Sequence, residues 1–281
     1  MPQPTRGAQR ASAARFRTVF VALIATLLSI GAIGASASPA EATTRKVVIV
    51  VGPVGSQTAS YIDNAKLLAS QARSYGASVT EVYSPYATWS KVASVAKGAN
   101  LLIYLGHGNG WPSPYAPFSA YTKDGMGLNK AAGYGNSNNK YYGEYYMQRL
   151  ALAPNAVVVL NRLCYASGNS EWGAANPTKS VAIQRVDNYG AGFLRSGAKA
   201  VFASGITSVG YVLKGLFRAG TSMTMQQLFW SDPNATLTYR FSFSSVRTAG
   251  MRAAMDPSSP GRYYRSMIGN QSLTVGQWRA S

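Results

Sequence analysis

Four short runs of almost wholly apolar residues constrain this chain most. They are residues 47–51 (VVIVV), 101–105 (LLIYL), 157–160 (VVVL) and 200–203 (AVFA). A strand with one wet face alternates polar and apolar side chains, and a strand covered on both faces does not. These runs therefore read as buried strands. A further strand is expected at 79–83. Between the strands lie helical stretches. Residues 56–75 place Tyr61, Ile62, Ala65, Leu68, Ala69 and Ala72 on one face at three-to-four spacing, and Gly76 ends the helix. A short helix ending near Gly98 carries Trp89, Val92, Val95 and Ala96, and others are expected over 144–152, 181–195, 209–217 and 223–230.

Buried strands alternating with helices predict an α/β fold with a mostly parallel central sheet and helices on both faces. In such a sheet, ligands bind at the carboxyl ends of strands, near the point where strand order reverses. Residues 230–281 give no clear element, though Phe241, Phe243, Tyr263, Tyr264 and Ile268 imply that they pack on the core. No repeat or linker divides residues 43–281, which read as one domain.

The first 42 residues read as a signal peptide. Arg6, Arg10, Arg15 and Arg17 precede the apolar and small residues of 19–35. Ala35-Ser36-Ala37 and Ala40-Glu41-Ala42 offer small residues where a signal peptidase reads. Cleavage after Ala42 is the reading preferred over a retained anchor, and no later segment is long and apolar enough to span a bilayer. The expected location is secreted or cell envelope.

The chain carries 27 Lys and Arg against 9 Asp and Glu, a formal net charge of +18. Removing residues 1–42 takes away four Arg and one Glu and leaves +15. Such a charge favours anionic partners in general, of which cell-envelope polymers are the nearest for an exported protein. Nucleic acid is disfavoured: no run of five basic residues, recognition helix or zinc-finger spacing is present.

The chain has one histidine and one cysteine, His107 and Cys164. Each lies within four residues of the carboxyl end of an apolar run, so neighbouring strands would bring both to one rim. A thiol of pKa about 8.5 is a poor nucleophile until it loses its proton, and an imidazole can take that proton and later return it to a leaving amine. The Gly108 N–H, with the Cys164 N–H, could face a developing oxyanion. Taken singly, Cys164 reads equally as a small buried hydrophobe, and His107 as a loop residue. One His and one Cys cannot supply a metal site without a carboxylate cluster, which is absent from the sequence pattern, and no cofactor motif is present.

LLIYLGHGNG and VVVLNRLCYASG, in that order, resemble the corresponding passages of the caspase-like cysteine peptidases, the group of caspases, legumains, clostripain and gingipains. LRSGAKAVFASG (194–205) is similar to the gingipain and clostripain side. The resemblance implies a three-layer caspase-like domain and an exported cysteine endopeptidase acting on a peptide or protein substrate. Its dyad would be His107 and Cys164, and its oxyanion hole the amides of Gly108 and Cys164. Arg162-Leu163-Cys164-Tyr165-Ala166 departs from the Q-A-C-x-G of true caspases. An inactive module of the same fold that binds envelope polymers or glycans is the alternative. Asp124, Glu144 and Glu171 are the acids near enough in sequence to shape a first pocket. The aperiodic, Tyr-rich stretch 109–143 would either wall the substrate cleft or be tacked onto the domain by its aromatics.

Overall fold

The computed structural model describes residues 44–281, and the signal-peptide reading lies outside them. The chain runs β1 (Lys46–Val51), α1 (Thr58–Ser74), β2 (Ser78–Tyr83), α2 (Trp89–Ala96), β3 (Leu101–Leu105), β4 (Met126–Asn129), β5 (Asn139–Tyr142), α3 (Glu144–Met147), β6 (Ala156–Asn161) and α4 (Lys179–Arg195). It continues through β7 (Ala198–Ser204), α5 (Gly210–Arg218), α6 (Met225–Trp230), β8 (Phe241–Ser244), β9 (Arg252–Met255), β10 (Arg265–Gly269) and α7 (Val275–Ala280).

Eight strands form one sheet in the order β2-β1-β3-β6-β7-β10-β9-β8. The first five are parallel, and β10, β9 and β8 add on antiparallel. Successive side chains of a strand point to opposite faces, so each apolar run feeds two cores at once. Val48, Val50, Leu102, Tyr104, Val158 and Leu160 pack with Val92 of α2, Met147 of α3 and Val186, Tyr189 and Phe193 of α4. Val47, Ile49, Val51, Leu101, Ile103, Val157 and Val159 pack with Leu68 of α1, Leu213 of α5, Phe229 of α6 and Trp278 of α7. The three-layer α/β arrangement with a mostly parallel sheet is therefore the one observed. Among the described residues no helix is long and apolar enough to cross a membrane.

Two local expectations need correcting. The expected helix 144–152 stops at Met147, because the following amides leave the helical pattern: Arg149 and Leu150 bond only three residues back, Ala151 turns left-handed (φ 50°), and the Leu152 N–H donates to the Ser196 carbonyl (2.9 Å). Within 109–143, β4 and β5 form an antiparallel ribbon that sequence periodicity does not show.

The antiparallel strands are anchored by buried charge. Arg265 on β10 holds Asp232 through Nε (2.8 Å) and Asp256 through Nη1, and donates to the Phe229 carbonyl (2.9 Å). Asp256 in turn accepts from the amides of Thr236 (2.9 Å) and Leu237 (2.7 Å), which fixes the approach to β8. All three charged residues are buried. Removing one partner of such a network strands the others in a low dielectric. Arg265→Met is expected to cost about 3–5 kcal/mol, the range for an opened buried ion pair, read as a lowered urea midpoint at unchanged slope. A midpoint equal to that of the parent chain would contradict this role.

Candidate active site

The order of strands reverses beside β1: β2 pairs on one side of it, and β3, β6 and β7 build outward on the other. A crevice is expected above the carboxyl ends at such a point. A cavity of about 520 Å³ lies there, lined by Val54, Ser56 and Gln57 after β1, by Gly106 and His107 after β3, and by Arg162 and Cys164 after β6. Asn136, Ser137 and Asn139 from the ribbon close another wall. His107 and Cys164 thus meet at one cavity, as the pairing of β3 with β6 (Leu105 opposite Asn161) requires.

The two loops touch through their backbones. A methyl group at Gly108 would collide with the Cys164 carbonyl oxygen and come within 3.0 Å of the Tyr189 hydroxyl. Only glycine lets the chain after His107 pass this close to the chain after β6. The His107 carbonyl is held from behind, accepting from the Gly127 N–H (3.2 Å) and lying 2.9 Å from the Tyr104 hydroxyl. Tyr104, buried on β3, also takes the Gly127 N–H (2.9 Å), so the ribbon and the histidine loop share one anchor.

Cys164 is partly buried and not disulfide-bonded. Two left-handed residues flank it, Arg162 (φ 60°) and Tyr165 (φ 70°). Such backbone in non-glycine residues is held only where surrounding contacts over-determine it, and it gathers at functional sites. Here those contacts are the Arg162 N–H to the Ser204 carbonyl (2.8 Å) and the Tyr61 hydroxyl to the Arg162 carbonyl (3.1 Å). Among the described residues, neither the Gly108 nor the Cys164 main-chain N–H has a hydrogen-bond acceptor. Amides without an internal acceptor are the kind of donor that a developing oxyanion needs.

Burial pushes the Cys164 thiol above its ordinary value and Glu171 adds to this; the Trp172 N–H, bonded to the sulfur, and Arg185 pull it down. Burial also lowers the His107 imidazole, and Glu171 opposes that. Both shifts favour the neutral form of each group at rest.

Sequence reasoning missed the supports of this arrangement. Arg185 of α4 donates to the carbonyl of Pro112 (2.7 Å) and to that of Asn169 (2.8 Å), joining the segments after His107 and Cys164. Glu171 accepts from Tyr115 (2.8 Å) and Tyr165 (2.5 Å) and ties the same two segments from outside. Within the Tyr-rich stretch, Asn136, Ser137 and Asn139 line the cavity, while Tyr142 stacks on Trp89 (5.5 Å) and Tyr121 packs at a tilt on Tyr145 (4.6 Å).

The three acids separate. Glu144 is buried in ion pairs with Arg195 and Arg247 and lines neither cavity. Asp124 is buried beneath the histidine loop, accepting from the Trp111 N–H (2.9 Å), and its other oxygen lacks a partner. Glu171 alone reaches a cavity that holds Cys164.

These contacts set two expected outcomes. Gly108→Ala should destabilise the chain by about 1–3 kcal/mol, the usual cost of overpacking, and unfold at a lower urea midpoint; an unchanged midpoint would contradict the close approach. Burial lifts the Asp124 carboxyl from 3.8 to about 7. The folded state then holds this proton more tightly than the unfolded chain, so its contribution is full below pH 4 and lost as pH rises through 7. Asp124→Asn should therefore raise the melting temperature at pH 8 relative to the parent and lose that advantage by pH 4. A benefit equal at both pH values would refute the assignment.

No family model matches the chain, and no curated protein matches it. Solved structures similar to the chain include the following. A secreted C11 cysteine protease from Bacteroides thetaiotaomicron bound to an irreversible peptide inhibitor is 10% identical over 76% of this chain, with a TM-score of 0.37. The Arg-specific cysteine proteinase gingipain R is 13% identical over 82%, with a TM-score of 0.34. A second structure of a secreted C11 protease from Bacteroides thetaiotaomicron, iotapain, is 11% identical over 76%, also at 0.34. This chain spans 61–66% of the length of those structures. All three are structures of cysteine proteases.

Proposed function

We propose that the chain is an exported caspase-like cysteine endopeptidase, with Cys164 as nucleophile and His107 as general base and acid. The observation that carries the reading is that His107 and Cys164 line one solvent-reachable cavity, with the Gly108 main chain packed against the Cys164 carbonyl. His107 would take the thiol proton as the sulfur attacks the scissile carbonyl carbon. The carbonyl oxygen, now negative, would lie between the two amides. The imidazolium would then give its proton to the leaving amine, freeing the first product and leaving an acyl-enzyme. A water, losing its proton to His107, would attack the thioester carbon and release the second product and the thiol.

The chain's apolar start and small-residue sites support export, and its retained charge of +15 supports residence near an anionic envelope.

The test is cleavage of an internally quenched peptide library. Cys164→Ala should abolish turnover, and His107→Ala should lower kcat by about 10²–10⁴-fold, the range for a lost acid–base group. Turnover surviving in Cys164→Ala would end the reading. The pH profile supplies a second check. The productive state holds one proton between sulfur and imidazole. It forms as the imidazolium deprotonates, below the ordinary 6.5, and disappears as the remaining proton leaves the thiol, above the ordinary 9.0. A plot of kcat/KM should then show a plateau wider than that interval, and both limbs falling inside it would contradict the charge state described.

A further inference from the structure

On the β7 side of Cys164 lies a larger cavity of about 760 Å³. We propose that it receives an anionic side chain of the substrate, a carboxylate of the Asp or Glu class, on the guanidinium groups of Arg162 and Arg262. The proposal rests on the peptidase reading and names its substrate class.

The charged groups of the cavity divide into spent and unspent. Its one carboxylate, Glu171, accepts a tyrosine hydroxyl on each oxygen, from Tyr165 and Tyr115. Its two guanidinium groups are not spent. Among the described residues, the side chains of Arg162 and Arg262 make no hydrogen bond and no ion pair. This sets them apart from Arg185, Arg195, Arg247 and Arg265, each bonded to a carbonyl or carboxylate. A third donor joins them: Asn169, buried, uses its oxygen on the Ser167 hydroxyl (3.2 Å) and leaves its Nδ2 without an acceptor. A cationic side chain entering here would meet two unneutralised cations. A carboxylate would meet donors that nothing else occupies, in the fork geometry that arginine offers.

Arg162 is also distinguished by its position. It stands two residues before Cys164 and lines both cavities, so it lies where they join. Its left-handed backbone (φ 60°) is pinned at both ends, by Ser204 and Tyr61. Glycine or asparagine would adopt that conformation with less strain. Among the described residues the Arg162 side chain bonds nothing, which leaves it open to a ligand in the cleft.

The experiment uses peptide pools with randomised flanks and a fixed central Asp, Glu, Asn, Gln or Arg. The parent chain should cleave the Asp or Glu pool with kcat/KM at least ~10-fold above its amide counterpart and above the Arg pool, as a charge-assisted pair at a partly buried site implies. Raised salt should shrink that ratio. Arg162→Glu should reverse the preference toward Arg, and Arg262→Glu, on an exposed turn where folding is not at risk, should weaken the preference several-fold. In parallel, Cys164→Ala is titrated with fluorescein-labelled versions of the same pools. Equal cleavage and equal binding of the Asp and Asn pools, or a preference for Arg, would overturn the subsite while leaving the peptidase reading intact. Tighter binding of acidic pools by Cys164→Ala, with no pool cleaved by the parent, would sustain the subsite and remove the peptidase.

Discussion

The pairing of β3 with β6 decides where the chemistry proposed for this chain would occur. The two strands run parallel with Leu105 opposite Asn161, so their carboxyl ends finish level. The turns that leave them must share one rim. One turn carries His107 and the other Cys164, and the space between the two is small enough that Gly108 lies against the Cys164 carbonyl without room for a methyl group. Sheet hydrogen bonding thus sets a distance that side-chain packing alone could not hold so tightly, because side chains have rotamers and paired strands have a register. Tyr104 and Arg185 then act as struts: one reaches from the sheet up to the His107 carbonyl and the ribbon, the other from α4 across to the segments after both residues.

Scarcity of acid shapes the rest. With 9 Asp and Glu against 27 Lys and Arg, most basic side chains must be solvated rather than paired. The few carboxylates are placed where they matter structurally: Asp232 and Asp256 on Arg265, Glu144 between Arg195 and Arg247, Glu81 on Arg73. The buried Arg265 takes two of them, because an unpaired buried cation is far costlier than a wet one. The arginines left over are those that face solvent or cavities, and Arg162 and Arg262 belong to that remainder.

Much of this was legible in the sequence, for a physical reason. Strands covered on both faces have no polar positions, so VVIVV, LLIYL, VVVL and AVFA declare themselves, and the residues after them are placed by counting. Residues 109–143 were not legible because the β4–β5 ribbon is not held by its own alternation. It hangs on the Tyr104 hydroxyl and the His107 carbonyl, partners 20 or so residues upstream that no local window contains. The strands β8 to β10 failed in the same way. FSFS and RAAM are only four residues long, the first half exposed, and their order depends on Arg265 meeting two aspartates from separate loops. The Trp172 amide at the sulfur, and the spent state of Glu171, depend equally on loop closure.

The charge state of the pair bears on how the proposed site would survive oxidants. A preformed thiolate is the species that oxidants attack, and this chain has no second cysteine to resolve a sulfenic acid as a disulfide. Burial and Glu171 hold the Cys164 proton on, and burial keeps the imidazole neutral, so the resting sulfur is a poor target. A substrate that filled the cleft with an acidic side chain would spend its charge on Arg162 and Arg262 and place its carbonyl oxygen at the two free amides. The sulfur would then lose its proton only as its bond to carbon formed, with the negative charge passing to an oxygen already facing two donors. The features that make Cys164 inert at rest therefore do not oppose the chemistry proposed for it; they confine that chemistry to the moment when a substrate is seated.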